Sequence, residues 1–324
     1  MATYKGMINQ SKILWHNKQT SWFESAELPE VITGEVLIRA FYSMISQGTE
    51  KTVVTHELSA VIAQEMAVPY MKGSLVDTFT YGYSIVGEVV SGKADLLGKK
   101  VHLMHPHQDY IVAKEEDVFE IPAAVSLKEA TLASNIETAV NTIWDADISL
   151  GDRVLIYGYG LIGAIIATIV NKIPGVQCEV FETDHERQQL HLDHFIPERS
   201  GHDYDVVFNT TSNPQALQHA LASTRLEGKI IELSWYGNQE TTLRLGADFH
   251  YGRKQIISSQ VSHIPIKKQP FWNYKKRKQL VFELLADHSF SHLLTAEIAF
   301  KEAPKFYQRL RNEKISELST IICY

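Results

Sequence analysis

The segment Arg153-Val154-Leu155-Ile156-Tyr157 runs directly into Gly158-Tyr159-Gly160-Leu161-Ile162-Gly163, and the stretch from Leu161 to Lys172 is largely apolar. A short apolar strand, a glycine turn and a helix in that order leave few folds open. Each glycine has a physical task. Gly158 admits a tight turn, Gly160 lets a pyrophosphate approach the backbone, and Gly163 lets the helix pack closely on the strand. The helix start, with Leu161 and Ile162, presents free N–H groups and a partial positive charge to phosphate. A second strand from Gln177 ends at Glu182, where such a turn needs an acid for ribose hydroxyls. The pattern predicts a bound dinucleotide held by Gly158, Gly160, Leu161, Ile162, Gly163, Glu182 and Thr210, the last just after the strand Asp205 to Asn209. A carboxylate at Glu182 repels the extra phosphate of NADP and favours NAD. Asp184 is the alternative acid, and His185 and Arg187 keep an NADP reading open.

Strands and helices continue to alternate after this unit. A charged helix is expected from His185 to about His194, a helix from Pro214 to Ser223, and strands at Lys229 to Leu233 and Gln255 to Val261. Such alternation predicts a doubly wound parallel sheet. The first third differs, because Gly34 to Ala40 and Ile85 to Val90 have strand character between scattered glycines. One or two helices are expected over Leu127 to Asp145. A helix around Trp272 to Asp287, a strand at Thr295 to Phe300 and a helix at Ala303 to Arg311 follow. A chain of 324 residues exceeds the size at which one core stops growing. The expected organisation is α/β: a Rossmann dinucleotide domain over 124–265, and a β-rich domain built from 1–123 and 266–324.

A formal charge of −7 and a pI near 6.1 supply no basic field for nucleic acid or anionic lipid, so neither is expected as a partner. The basic run from Lys275 to Lys278 is the local exception. Two cysteines, Cys178 and Cys323, lie in no metal-ligand spacing and suit a reducing, cytoplasmic location. No signal-like start and no long apolar run is present, so a soluble protein is expected.

The order of a β-rich segment, a Rossmann unit and a return segment resembles the medium-chain dehydrogenase/reductase superfamily, in which a GroES-like catalytic domain accompanies the Rossmann domain. Ile45-Ser46-Gln47-Gly48-Thr49-Glu50, Tyr81-Gly82-Tyr83-Ser84, Pro106-His107-Gln108, Asn135-Ile136-Glu137-Thr138-Ala139 and Ser234-Trp235-Tyr236-Gly237 resemble more narrowly the subgroup typified by bacteriochlorophyllide a dehydrogenase. The resemblance implies hydride transfer between a nicotinamide and a secondary alcohol or ketone, a small-molecule substrate, in the cleft between the domains. Zinc-using members carry a Cys before a Thr-Asp-like pair and a Gly-His-Glu motif; here those places read Ser46 to Glu50 and Gly82-Tyr83-Ser84. Glu137 falls where polyol dehydrogenases carry an acidic ligand. One carboxylate cannot hold a catalytic zinc, and two cysteines cannot build a four-cysteine structural site, so no zinc is expected. The resemblance also implies a homodimer, with Gln255 to Val261 as the pairing edge.

Without a metal, alcohol oxidation needs a base near the hydroxyl, and the reverse reaction needs a donor at the carbonyl oxygen. Tyr83 is a candidate donor, Ser46 and Thr49 candidate relays, and Glu137 a candidate base if burial raises its pKa; each reads equally well as a polar group lining a cleft. His105 and His107 are two apart in an expected strand and would share a face. His107, Trp235 and His250 are candidate substrate contacts, whereas His191 and His194 are expected to face solvent. Two other functions remain open: reduction of an activated C=C bond, as in quinone and enoyl reductases, and dinucleotide binding without turnover.

Overall fold

The computed structural model describes residues 9–190, 195–196, 203–246 and 248–324. The chain forms two compact units, Met1–Ser134 with Phe282–Tyr324, and Asn135–Val281. Both boundaries fall inside helices, Ala133–Ala146 and Tyr274–Leu285, and not near 123 and 265 as the sequence suggests. Asn141 and Arg277 tie these two helices to the segment after the last parallel strand, which draws them into the second unit.

The second unit contains a parallel sheet of five strands among the described residues. Their order is Gln177–Phe181, Arg153–Tyr157, Tyr204–Asn209, Thr224–Glu232 and Gln255–Ser258. Arg153–Tyr157 is buried from Val154 onward on both faces, as a strand sandwiched between helices must be. Leu161–Val170 and Pro214–Ser223 are helices. Asn213 caps the second through its side chain and Pro214 sits at the first helical position, where no N–H is needed. The charged helix after the second strand is a single turn, His185–Gln188, capped by Asp184. His191 and His194 lie outside the described residues.

The first unit is mostly β, as expected. Glu35–Ile45 is its longest strand and pairs with Ile85–Ser91, Tyr110–Lys114 and Thr320–Cys323. Its alternating inward residues Val36, Ile38 and Ala40 pack with Ile85, Val89, Val101 and Ile111. The stretch expected to be one or two helices is a 3-10 turn, Glu129–Leu132, leading into Ala133–Ala146. One expectation is corrected. His105 and His107 do not share a strand face, because Lys100–Leu103 ends before them and Pro106 between them offers no N–H to a ladder. Among the described residues, no helix is long and apolar enough to cross a membrane.

Candidate active site

The glycine turn has the shape of a phosphate cradle. Gly158 holds φ at +97°, and a Cβ there would lie 2.8 Å from Thr210 Oγ1. A Cβ on Gly163 would lie 2.2 Å from Gly158 O, so the helix is packed against the turn with no room for a side chain. Above Gly160, in contrast, a Cβ would meet only Arg187 Nη1, at 3.7 Å. That is the open face a pyrophosphate needs, and the residues therefore fit a dinucleotide. Leu161 and Ile162 open the helix behind it, and Thr210 Oγ1 donates to Tyr157 O and Gly158 O at 2.9 and 3.2 Å.

Glu182 stands beside the turn and is buried. Its Oε2 accepts from Tyr159 N at 2.7 Å, and its Oε1 from Thr183 N and Asp184 N at 2.6 and 2.8 Å. The carboxylate thus braces the glycine turn through its backbone. A carboxylate has about four acceptor sites, so capacity for a ribose hydroxyl remains. The side chain of Asp184 is committed to Glu186 N and Arg187 N as a helix cap. Glu182 is accordingly the acid in contact with the turn.

In the first unit the structure brings three predicted residues together. The Tyr83 hydroxyl is hydrogen-bonded with the Ser46 and Thr49 side chains. Burial pushes the phenol up to about 12, the two hydroxyls pull against this, and the charge of Glu50 adds to the rise. Tyr83 is therefore protonated at neutral pH and able to donate. Ser134 Oγ holds its backbone by donating to Tyr83 O at 2.7 Å.

Beneath this cluster is a buried network that the sequence did not reveal. Glu50 is fully buried; its Oε1 accepts from Ser46 N at 2.7 Å, and its Oε2 accepts a hydrogen bond from the Tyr307 hydroxyl and faces His107 Nε2 at 3.3 Å. His107 Nδ1 meets Ser43 Oγ at 2.7 Å, and Ser43 Oγ meets the Tyr324 hydroxyl at 2.9 Å. Both nitrogens of His107 are thus engaged inside its own unit, and the proposed substrate role has no free ring atom there. His105 turns its Nδ1 to Pro106 O, and burial lowers its pKa to about 4, so it is neutral at physiological pH. The Ser46 to Glu50 spacing was the one legible signal, four residues at a helix start. Gly82 contributes a close approach: its φ is +121° and a Cβ would fall 2.9 Å from the His107 ring. Gly82→Ala is expected to displace His107 and lower stability by about 1–3 kcal/mol, read as a fall in Tm.

Glu137 is in the second unit and is not a free carboxylate. Lys278 Nζ stands 2.5 Å from its Oε2 and Arg277 Nε 3.4 Å from its Oε1, with all three side chains buried. Arg277 Nη1 also donates to Asn141 Oδ1 at 2.8 Å and Val261 O at 2.7 Å. Burial pulls the Lys278 ammonium below its ordinary range and Arg277 adds to this, while Glu137 opposes both. These two cations come from the basic run whose other members, Lys275 and Lys276, are exposed. A charge run normally reads as a solvated face, so its inward half was hidden.

Trp235 follows the carboxyl end of Thr224–Glu232 and is half-buried. Beside it, the Tyr236 hydroxyl meets Asn209 Nδ2 and Glu232 Oε2 at 3.1 and 3.3 Å. His250 requires a correction. It is exposed on the short helix Asp248–Tyr251, which precedes the strand Gln255–Ser258 and so lies at that strand's amino end, opposite the glycine-turn edge. In a parallel sheet the segment entering a strand always reaches the edge away from the ligand. Among the described residues, no three His, Cys, Asp or Glu side chains gather as metal ligands. Ser46 and Tyr83 offer hydroxyls, poor donors for zinc beside thiolate and imidazole.

No protein-family model matches the chain. It is 22% identical over 317 residues to D-guloside 3-dehydrogenase of Escherichia coli K12, covering 86% of this chain and 89% of the relative. It is 23% identical over 267 residues to (R,R)-butanediol dehydrogenase of Bacillus subtilis 168, covering 68% and 76%. Among solved structures, a putative zinc-binding dehydrogenase of Sinorhizobium meliloti 1021 bound to NADP superposes with a TM-score of 0.78 at 13% identity, over 98% of this chain and 100% of that one. Acetophenone reductase of Geotrichum candidum in complex with NAD gives 0.75 at 15% identity, over 98% of each chain. The fold is that of the medium-chain dehydrogenases, and with relatives named as dehydrogenases the chain is an oxidoreductase. The names of these relatives lend no support to the narrower likeness to bacteriochlorophyllide a dehydrogenase.

Proposed function

We propose that the protein is an NAD(H)-dependent oxidoreductase acting on a secondary alcohol, or the corresponding ketone, without a catalytic zinc. The observation that carries this reading is the open cradle above Gly160 braced by Glu182, on a chain similar to D-guloside 3-dehydrogenase and (R,R)-butanediol dehydrogenase. When bound, the nicotinamide supplies the hydride acceptor or donor.

Gly158, Gly160 and Gly163 hold the pyrophosphate, and Glu182 receives the ribose hydroxyls. Tyr83, oriented by Ser46 and Thr49, donates a hydrogen bond to the substrate oxygen, where a developing negative charge needs one. The donor set at Ser46 and Tyr83 supports a metal-free reaction. The names of the relatives favour a polyhydroxylated substrate. C=C reduction gains no observation in its favour. A homodimer through the edge strand Gln255–Ser258, where Ile256 is exposed, completes the reading, and light scattering coupled to size exclusion tests it.

The cofactor assignment is tested by titrating the protein with NADH and NADPH while following nicotinamide fluorescence. Tighter NADH binding, weakened in Glu182→Ala, is the expected result. Binding of neither cofactor would overturn the reading. A Tyr83→Phe variant is expected to bind NADH normally and lose about 100-fold in kcat, the order seen when one donor to a developing oxyanion is removed.

A further inference from the structure

From Phe249 to Phe282 the chain carries eight Lys and Arg and no Asp or Glu, in a protein whose formal net charge is −7. The overall charge therefore conceals a local excess of the opposite sign. Arg277 and Lys278 turn inward on Glu137. Four other cations lie between Ile266 and Lys276: Lys267, Lys275 and Lys276 are exposed, and Lys268 is half-buried. The same segment presents large apolar side chains to water, Ile266 at 85% exposure, Phe271 at 73% and Tyr274 at 56%. A contiguous apolar patch rimmed by charge marks an interaction surface rather than scattered surface apolarity.

The segment is built to hold these tips outward. Lys268 N donates to Pro265 O at 2.7 Å, and Phe271 N and Trp272 N donate to Lys268 O at 3.0 and 2.9 Å. Gln269 Nε2 donates to Ile264 O and the Tyr274 hydroxyl to Ser262 O, both at 2.8 Å. Trp272 packs on Trp144 with ring centroids 4.8 Å apart, and the Lys268 ammonium stands over the Trp144 ring. Trp272 thus anchors the segment while its neighbours Ile266 and Phe271 stay at the surface. Local stability does not account for the lysines either. Lys275 and Lys276 stand in the first turn of the helix Tyr274–Leu285, which has no acid there and whose dipole disfavours cations. Asp147 pairs with Lys267 at 2.8 Å, but both side chains are exposed, and such a pair is weak and screened by salt.

We propose that this face docks the protein reversibly on an anionic lipid bilayer, with Ile266 and Phe271 entering the headgroup boundary and the lysines lying on lipid phosphates. A bilayer surface is charged outside and apolar just beneath, which matches apolar tips set among lysines with Tyr274 beside them. The phosphate backbone of a nucleic acid would take the lysines and leave Ile266 and Phe271 in water. A second copy of this chain, placed face to face by a two-fold axis, would set the same lysines against one another. The docking surface lies in the second unit and uses none of the residues assigned to the cofactor or to the substrate oxygen.

The test is cosedimentation of the full chain with vesicles of phosphatidylcholine alone and of an equimolar mixture with phosphatidylglycerol, at low and high salt. Tm and NADH affinity are measured alongside. The expected result is binding to the mixed vesicles alone, lost at high salt. Lys275→Ala combined with Lys276→Ala is expected to weaken it about 30-fold. Phe271→Ser and Ile266→Ser are each expected to weaken it at least ~10-fold. All of these variants keep the wild-type Tm and NADH affinity. A wild type that binds neither vesicle would overturn the proposal. So would serine variants that bind the mixed vesicles as the wild type does, since charge alone would then account for the attraction. Tighter binding of the wild type to duplex DNA than to the mixed vesicles would overturn it in favour of a nucleic acid. A fall in molecular mass on light scattering in Phe271→Ser would overturn it in favour of a second copy.

Discussion

Gly163→Ala is expected to abolish useful dinucleotide binding and to destabilise the fold at once. The added Cβ would lie 2.2 Å from Gly158 O and 3.0 Å from Thr210 Oγ1, so the helix Leu161–Val170 must move away from the turn. Overpacking of this kind costs about 1–3 kcal/mol in stability. The turn would also lose its register with Glu182, which holds Tyr159 N. A loss of about 3 kcal/mol in binding corresponds to roughly 100-fold in Kd for NADH. Gly160→Ala is the informative partner. Its Cβ meets nothing nearer than Arg187 Nη1 at 3.7 Å, so its Tm is expected to stay at the wild-type value while NADH affinity falls, because the methyl stands where the pyrophosphate approaches. Thermal unfolding and fluorescence titration on the two variants separate fold from site. Equal behaviour of the two would contradict the cradle geometry.

Glu137→Leu is expected to be the most destabilising single substitution outside the glycine turn. It leaves the ammonium of Lys278 and the guanidinium of Arg277 buried without the carboxylate that both face. Breaking a buried ion pair from one side costs about 3–5 kcal/mol. For a unit of this size each kcal/mol moves Tm by about 2–4 °C, so a fall near 10 °C is expected by circular dichroism. Glu137→Leu combined with Lys278→Met should recover much of this, because removing both members leaves fewer uncompensated charges. Additive losses in the double variant would show that the two side chains act independently.

How much of this was legible in the sequence depends on the range of the interaction. The strand Arg153–Tyr157, the turn and Glu182 are local signals, set by apolar runs, backbone sterics and a fixed spacing, and the structure reproduces them residue by residue. The grouping of Tyr83 with Ser46 and Thr49 was readable only through resemblance, since the segments are far apart in sequence. The partners of Glu137 were hidden, because a run of four bases gives no local hint that Arg277 and Lys278 turn inward while Lys275 and Lys276 face water. His107 misled for a related reason. A histidine beside a proline looks available, yet its engagement depends on Glu50 and Ser43, which are distant in the chain. The placement of His250 failed on topology. Its distance from the next strand gave no warning that it sits before the strand, at the amino edge.

Alcohol oxidation without zinc stands or falls on the metal content of the active protein. Protein dialysed against a strong chelator is analysed for metal, then supplied with NAD+ and a panel of secondary alcohols and polyols while NADH formation is followed. Substoichiometric metal and turnover unchanged by the chelator are the expected result. Stoichiometric zinc, with turnover lost on its removal and restored on its return, would contradict it.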